Sequence, residues 1–210
     1  MESSHLTLFM CIAAPLSMMF FVFRGRQRAI LGFLLAGIFM CLFAGEINGL
    51  ILATTGSNLR FLTVNVTPIV EECLKALPIV LFAFMGKPDR QLLLESSVAV
   101  GVGFATLENV CLLFDSASFI SAGAIIARGL GAGMMHGVST LAVGYSITIA
   151  VADRKLSYAG TVAALSVAII YHSIYNIMVQ SEYPILGILL PLVSFIPLLL
   201  IMRSRRSRQR

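Results

Sequence analysis

The chain has 210 residues, 58% of them hydrophobic and 12% charged, with a mean hydropathy of +0.93 and a formal net charge of +5. So little polar surface excludes a soluble domain of this size and leaves an integral membrane protein. At about 20 residues per crossing, the length holds roughly seven helices and no separate soluble domain.

Apolar segments run over residues 6–23, 29–53, 62–85, 92–114, 120–151, 158–180 and 184–202. They predict an all-α, polytopic transmembrane helix bundle of about seven spans, a single membrane domain over 1–202 followed by a basic tail at 203–210. Breakers separate the segments: Arg24-Gly25-Arg26, Thr55-Gly56-Ser57-Asn58, Gly86-Lys87-Pro88-Asp89, Asp115-Ser116, Asp153-Arg154-Lys155 and Ser181-Glu182-Tyr183-Pro184. The second and fifth segments exceed one crossing, which predicts tilt or an irregular outer end. Residues Met1 to His5 lack the basic stretch of a cleaved signal peptide, so the first helix is expected to stay.

Orientation follows from the basic residues. Arg24, Arg26, Arg28, Lys87, Arg90, Arg154, Lys155, Arg203, Arg205, Arg206, Arg208 and Arg210 fall on one side, twelve of the fifteen in the chain. The opposite side has Arg60, while Lys75 and Arg128 lie inside spans. The bias predicts an outside N-terminus and a cytoplasmic C-terminus, in the inner membrane of a bacterium. Anionic lipid accounts for the positive charge, and nucleic acid need not be invoked as a partner. Cys11, Cys41, Cys73 and Cys111 lie in apolar spans without a CxxC pair and read as reduced, small core residues.

Against this background the third segment stands out, because it carries Glu71, Glu72 and Lys75. A charge at a bilayer centre costs about 2.5–3.5 kcal/mol even on lenient insertion scales, so these groups face the bundle interior and have partners there. Lys75 is four residues from Glu71 and three from Glu72, so it can pair with either. The remaining carboxylate is then suited to general acid–base work, with an ion-pair network that fixes helix register as the plainer alternative. The fourth segment carries Gly101, Gly103 and Ala105, which permit close backbone approach, and then Glu108. Arg128 lies at matching depth on the neighbouring helix and is a candidate partner for Glu108.

The fifth segment places Gly129, Gly133 and Gly137 four apart, a small-residue stripe for tight packing of another helix, with His136 beside it. The sixth puts His172 and Asn176 on one face. At about 1.5 Å per residue from the outer ends, Glu71 and Glu72 lie about 14 Å deep, Glu108 about 9 Å, His172 about 11 Å and His136 about 18 Å. Isolated imidazoles in a membrane are often core hydrogen-bonding groups; two opposite paired glutamates form a candidate site.

Glu71-Glu72-x-x-Lys75, Phe104-x-x-x-Glu108-Asn109, His136 followed by Ser139-Thr140, and His172-x-x-x-Asn176 occur in that order over about residues 64–180. In this the chain resembles the PrsW family of bacterial intramembrane proteases, in the clan of CAAX prenyl proteases and bacteriocin-processing enzymes. The resemblance implies cleavage of single-span membrane proteins such as membrane-bound anti-sigma factors. It implies functional roles for Glu71, Glu72, Glu108, His136, His172 and Asn176. The CAAX branch has His at the end of the second motif and Arg one position later in the first, where this chain has Glu108 and Lys75. The clan also includes a non-catalytic scaffold subunit, so fold alone does not prove activity.

Two mechanisms fit these residues. In one, Glu71 or Glu72 activates water while His172 and Asn176 stabilise the oxyanion. In the other, His136, His172 and one of Glu72 or Glu108 hold Zn²⁺ with another glutamate as base, although no HExxH is present to demand a metal. A proton- or cation-coupled transporter is the competing class, since Glu and His chains also relay protons; the absence of an inverted repeat argues against it. A catalytically silent scaffold that grips partner helices is the third.

Overall fold

A computed structural model describes residues 3–86, 88–115, 122–152, 157–182 and 184–206. Among them every element is helical: α1 (Ser3–Val22), α2 (Gly25–Thr55), the single turn α3 (Leu59–Phe61), a π-helical stretch (Leu62–Val66), α4 (Thr67–Met85), α5 (Arg90–Asp115), α6 (Ala122–Ala152), α7 (Ser157–Val179) and α8 (Pro184–Arg206). The seven long helices match the seven apolar segments to within a few residues. Helices satisfy their own backbone groups, which hydrocarbon cannot do for them. By length and composition four qualify as membrane spans: Ser4–Val22, Gly25–Thr55, Arg90–Asp115 and Tyr158–Val179. Lys87, Ser116, the Asp153-Arg154-Lys155 turn, Tyr183, Arg208 and Arg210 lie outside the described residues.

Helix α6 is central, packing on α4, α5, α7 and α8, while α2 packs on α1, α4 and α5. Ile79, Val100, Val143 and Ile147 form the apolar core between α4, α5 and α6. Outward positions are apolar as well: Phe21, Phe84, Val167 and Ile170 are exposed. The chain is thus inverted relative to a soluble protein, with its charges buried and hydrocarbon outside. Cys11 and Cys73 follow the same logic and correct the expectation that they are core residues: both are free and exposed, on faces that meet lipid. A small apolar thiol is equally at home against acyl chains.

Close backbone approach occurs where the fourth segment predicts it. A Cβ on Gly103 would strike the Leu34 carbonyl of α2, and one on Gly101 the His136 carbonyl of α6. On α6, Gly144 abuts Ser97, whereas Gly129, Gly133 and Gly137 have no described neighbour within 4 Å of an added Cβ. The predicted packing stripe therefore packs against nothing in this chain.

The long α2 and α6 stay regular to their described ends, and the irregularity falls at the start of the third segment. Thr67 N–H bonds the Leu62 carbonyl, five residues back. Pro68 has no N–H to offer. The Thr63 carbonyl thereby loses both helical donors, and Asn176 Nδ2 of α7 donates to it at 2.9 Å instead. Gln180 Nε2 adds a bond to Thr63 Oγ1 at 3.1 Å. A π-turn at this place rotates the following residues relative to the preceding ones, and it opens directly into the Glu71-Glu72 turn of α4.

Candidate active site

Helix α4 presents Ile69, Leu77 and Leu81 outward and buries Glu71, Glu72, Lys75 and Ile79. The buried ion pair is Lys75 with Glu72: Nζ lies 2.6 Å from Glu72 Oε1, and neither side chain has any exposure. Between the two glutamates that the spacing left open, the structure selects Glu72 for Lys75. Lys75 Nζ also lies 2.7 Å from His136 Nδ1 and 5.2 Å from the centroid of the Phe104 ring. Ser139 Oγ donates to Glu72 Oε1 at 3.3 Å. His172 Nδ1 lies 2.8 Å from the same oxygen.

The two imidazoles stand edge to face with centroids 5.0 Å apart. Each turns Nδ1 to the Glu72–Lys75 pair and Nε2 to another carboxylate. His136 Nε2 lies 2.6 Å from Glu108 Oε2, and His172 Nε2 lies 3.8 Å from Glu71 Oε2. The tautomers follow from the partners. An ammonium has donors only, so His136 receives it on a bare Nδ1 and donates Nε2–H to Glu108. A carboxylate accepts only, so His172 donates Nδ1–H to Glu72 and keeps a bare Nε2 facing Glu71.

Glu71 Oε2 and Glu72 Oε2 are buried without a hydrogen-bond partner. One donor atom from each of Glu71, His136 and His172 lies within 4.8 Å of the other two, close enough to converge on a metal ion. Glu108, named from the sequence as a ligand, is instead the partner of His136, and Glu71 takes the third place in the converging set. His172 offers a ligating nitrogen as it stands, whereas His136 ligates through Nε2 only by releasing Glu108. The predicted Glu108–Arg128 pair is present but long, with Arg128 Nη2 3.9 Å from Glu108 Oε1.

Asn176 is not brought into this group, because its amide is committed to the Thr63 carbonyl. Two contributors carried no role in the sequence reading. Ser139 sits one turn from His136 on the same face and bonds Glu72. Phe104, one turn before Glu108, lies 5.1 Å from the His136 ring, centroid to centroid. Their signal was helical spacing from a candidate residue.

A helical membrane protein that buries two imidazoles among three carboxylates and a lysine has the makings of a membrane-embedded acid–base enzyme. The chain belongs to the PrsW family of intramembrane metalloproteases, which it matches over residues 25–202. It is therefore a multi-pass, membrane-embedded protease. No curated protein and no solved structure matches it.

Proposed function

We propose that the protein is an endopeptidase for single-span membrane proteins, with membrane-bound anti-sigma factors as the substrate class, working through Glu71, Glu108, His136 and His172. The observation that carries this reading is the pairing of both imidazoles, each held at Nδ1 and each aimed at a carboxylate from Nε2.

In this reading Glu72 and Lys75 are the frame. They orient the two rings, as carboxylates behind ligating histidines do in metal sites. Glu71, His136 and His172 would hold Zn²⁺: two imidazoles and a carboxylate suit a catalytic zinc with one open position, and the orphaned Glu71 Oε2 is the group most in need of a cation. When bound there, zinc supplies a Lewis acid for the scissile carbonyl. Glu108, released by His136, takes the proton from the attacking water and returns it to the leaving amine. Its side chain is 23% exposed, against none for Glu72, so water reaches the cluster from the Glu108 side. Asn176 serves the backbone next to Glu71 and acts on the reaction only through that placement.

The bundle is read as one domain over 1–202 with a basic tail at 203–210. It crosses a bacterial inner membrane seven times, with the N-terminus outside, in line with the twelve-to-one distribution of loop Arg and Lys. A reporter fused after Arg210 should be active only in the cytoplasm.

The decisive experiment uses purified protein in nanodiscs and a single-span substrate. Wild type should cleave it, Glu71→Gln and His172→Ala should not, and a chelator should stop cleavage until zinc is returned. Cleavage that persists in both variants would refute the assigned chemistry, and cleavage indifferent to chelation would remove the metal from it.

A further inference from the structure

The glycine stripe that packs against nothing lies beside the cluster. Seven residues are close to two helical turns, so Gly137 shares a face with Gly144, and Gly133 lies close to the same line. At Gly144 that face is closed by Ser97 of α5. Nearby, Gly101 of α5 rests on His136 and Thr140. Beyond this contact the stripe stands open, and accessibility rises along it: Gly137 is buried, Gly133 half-buried and Gly129 exposed. Helices α5 and α6 therefore meet tightly at one end and leave a cleft between them that widens toward Gly129. His136 sits between Gly133 and Gly137, at the narrow end.

A second observation says what belongs there. Glu71 Oε2 is buried without a partner, its side chain 8% exposed, and it belongs to the group that converges with His136. Arg128 Nε, beside Gly129, is a buried donor without a partner. One unmatched acceptor and one unmatched donor along an open glycine track suit a polypeptide backbone, which brings both an N–H and a C=O. An acyl chain would leave both unmatched.

We infer that the cleft between α5 and α6, floored by Gly129, Gly133 and Gly137, is the docking track for the backbone of the substrate's membrane-spanning segment. It delivers a peptide bond to Glu71 and His136. The absence of side chains lets a second backbone come close, as it does between packed transmembrane helices. This inference rests on the protease reading, and the test separates the two.

Photo-crosslinkers are placed at Gly129 and Gly133 in the Glu71→Gln protein, and in parallel at Gly45 and Gly49, which are equally open but on α2. The probe is a biotinylated single-span peptide of Leu and Ala with a Gly-Ser centre, in nanodiscs. Capture at positions 129 and 133 should exceed that at 45 and 49 by at least about tenfold. Equal capture at all four sites, or capture of phospholipid in place of peptide at 129 and 133, overturns the inference. Gly133→Leu in the otherwise unaltered protein fills the track, and should raise KM for a cleaved peptide by about tenfold with thermal stability retained. An unchanged KM in folded Gly133→Leu protein also overturns it. Capture in the cleft of a peptide that wild type never cleaves would sink the protease reading and leave the docking track standing.

Discussion

The two halves of the buried cluster differ in how far their groups are satisfied. Around Lys75, one ammonium reaches Glu72, His136 and Ser139, and Glu72 Oε1 takes three donors, with both side chains fully enclosed. Around Glu71 and Glu108 the contacts are sparse: Glu71 Oε2 has no hydrogen bond, and Arg128 stands 3.9 Å from Glu108. Exposure rises in the same direction, from none at Lys75 through 8% at Glu71 and 23% at Glu108 to 34% at Arg128. A buried charge network that is fully paired rigidifies, while one left short of partners can bind and react. The lesson is a division of labour within one helix turn, between Glu72, which holds, and its neighbour Glu71, which is free to act.

The sharpest way to break this comparison is to neutralise each glutamate separately. Glu71→Gln should accumulate and melt like wild type yet lose cleavage by about 10²–10⁴-fold, and lose bound zinc. Glu72→Gln should instead strand the Lys75 charge and lower stability first. Equal melting temperatures for the two variants would erase the distinction.

Removing the other end of the pair should be similarly destructive to the fold. Lys75→Met leaves Glu72 as an unpaired buried carboxylate, a loss of about 3–5 kcal/mol. Membrane accumulation and detergent melting report it. The double change Lys75→Met with Glu72→Gln should recover much of that loss without recovering activity, because neither ring is then held at Nδ1.

A smaller effect is expected from Asn176→Ala, which orphans the Thr63 carbonyl for about 1–3 kcal/mol. Its signature is faster amide exchange over residues 62–66, with zinc content retained. Loss of zinc alongside intact exchange protection would return Asn176 to the reacting groups. Least of all, Cys73→Ala should change melting by less than about 0.5 kcal/mol, since the thiol faces lipid beside an inward glutamate. A large loss there would contradict the outward placement.

Sequence reading found the groups of this site but not their pairings. Glu71, Glu72, Lys75, His136 and His172 were legible because each is anomalous in an apolar span, and one dielectric argument sends all five inward. The choice of Glu72 over Glu71 for Lys75 was not legible, since both lie within reach on a helix. Asn176 shares a face with His172, yet the loss of two donors at Thr63 draws its amide to the π-turn. That loss depends on Pro68 together with a change of helical register. The glycines of α6 show the same limit: spacing identified a surface for close approach without saying which stretch of it the chain itself would occupy.

By itself, then, the sequence determined the helices, the depth of the charges and which residues had to be buried. Those follow from hydrophobicity and the transfer cost of charge, which are local to each segment. The tertiary structure alone decided which nitrogen of each imidazole meets which carboxylate, that Glu71 is left without a hydrogen bond at Oε2, and that α5 and α6 part beyond Gly101. These depend on the rotation and separation of helices far apart in the chain, where a shift of one residue around the axis turns a side chain by about 100°.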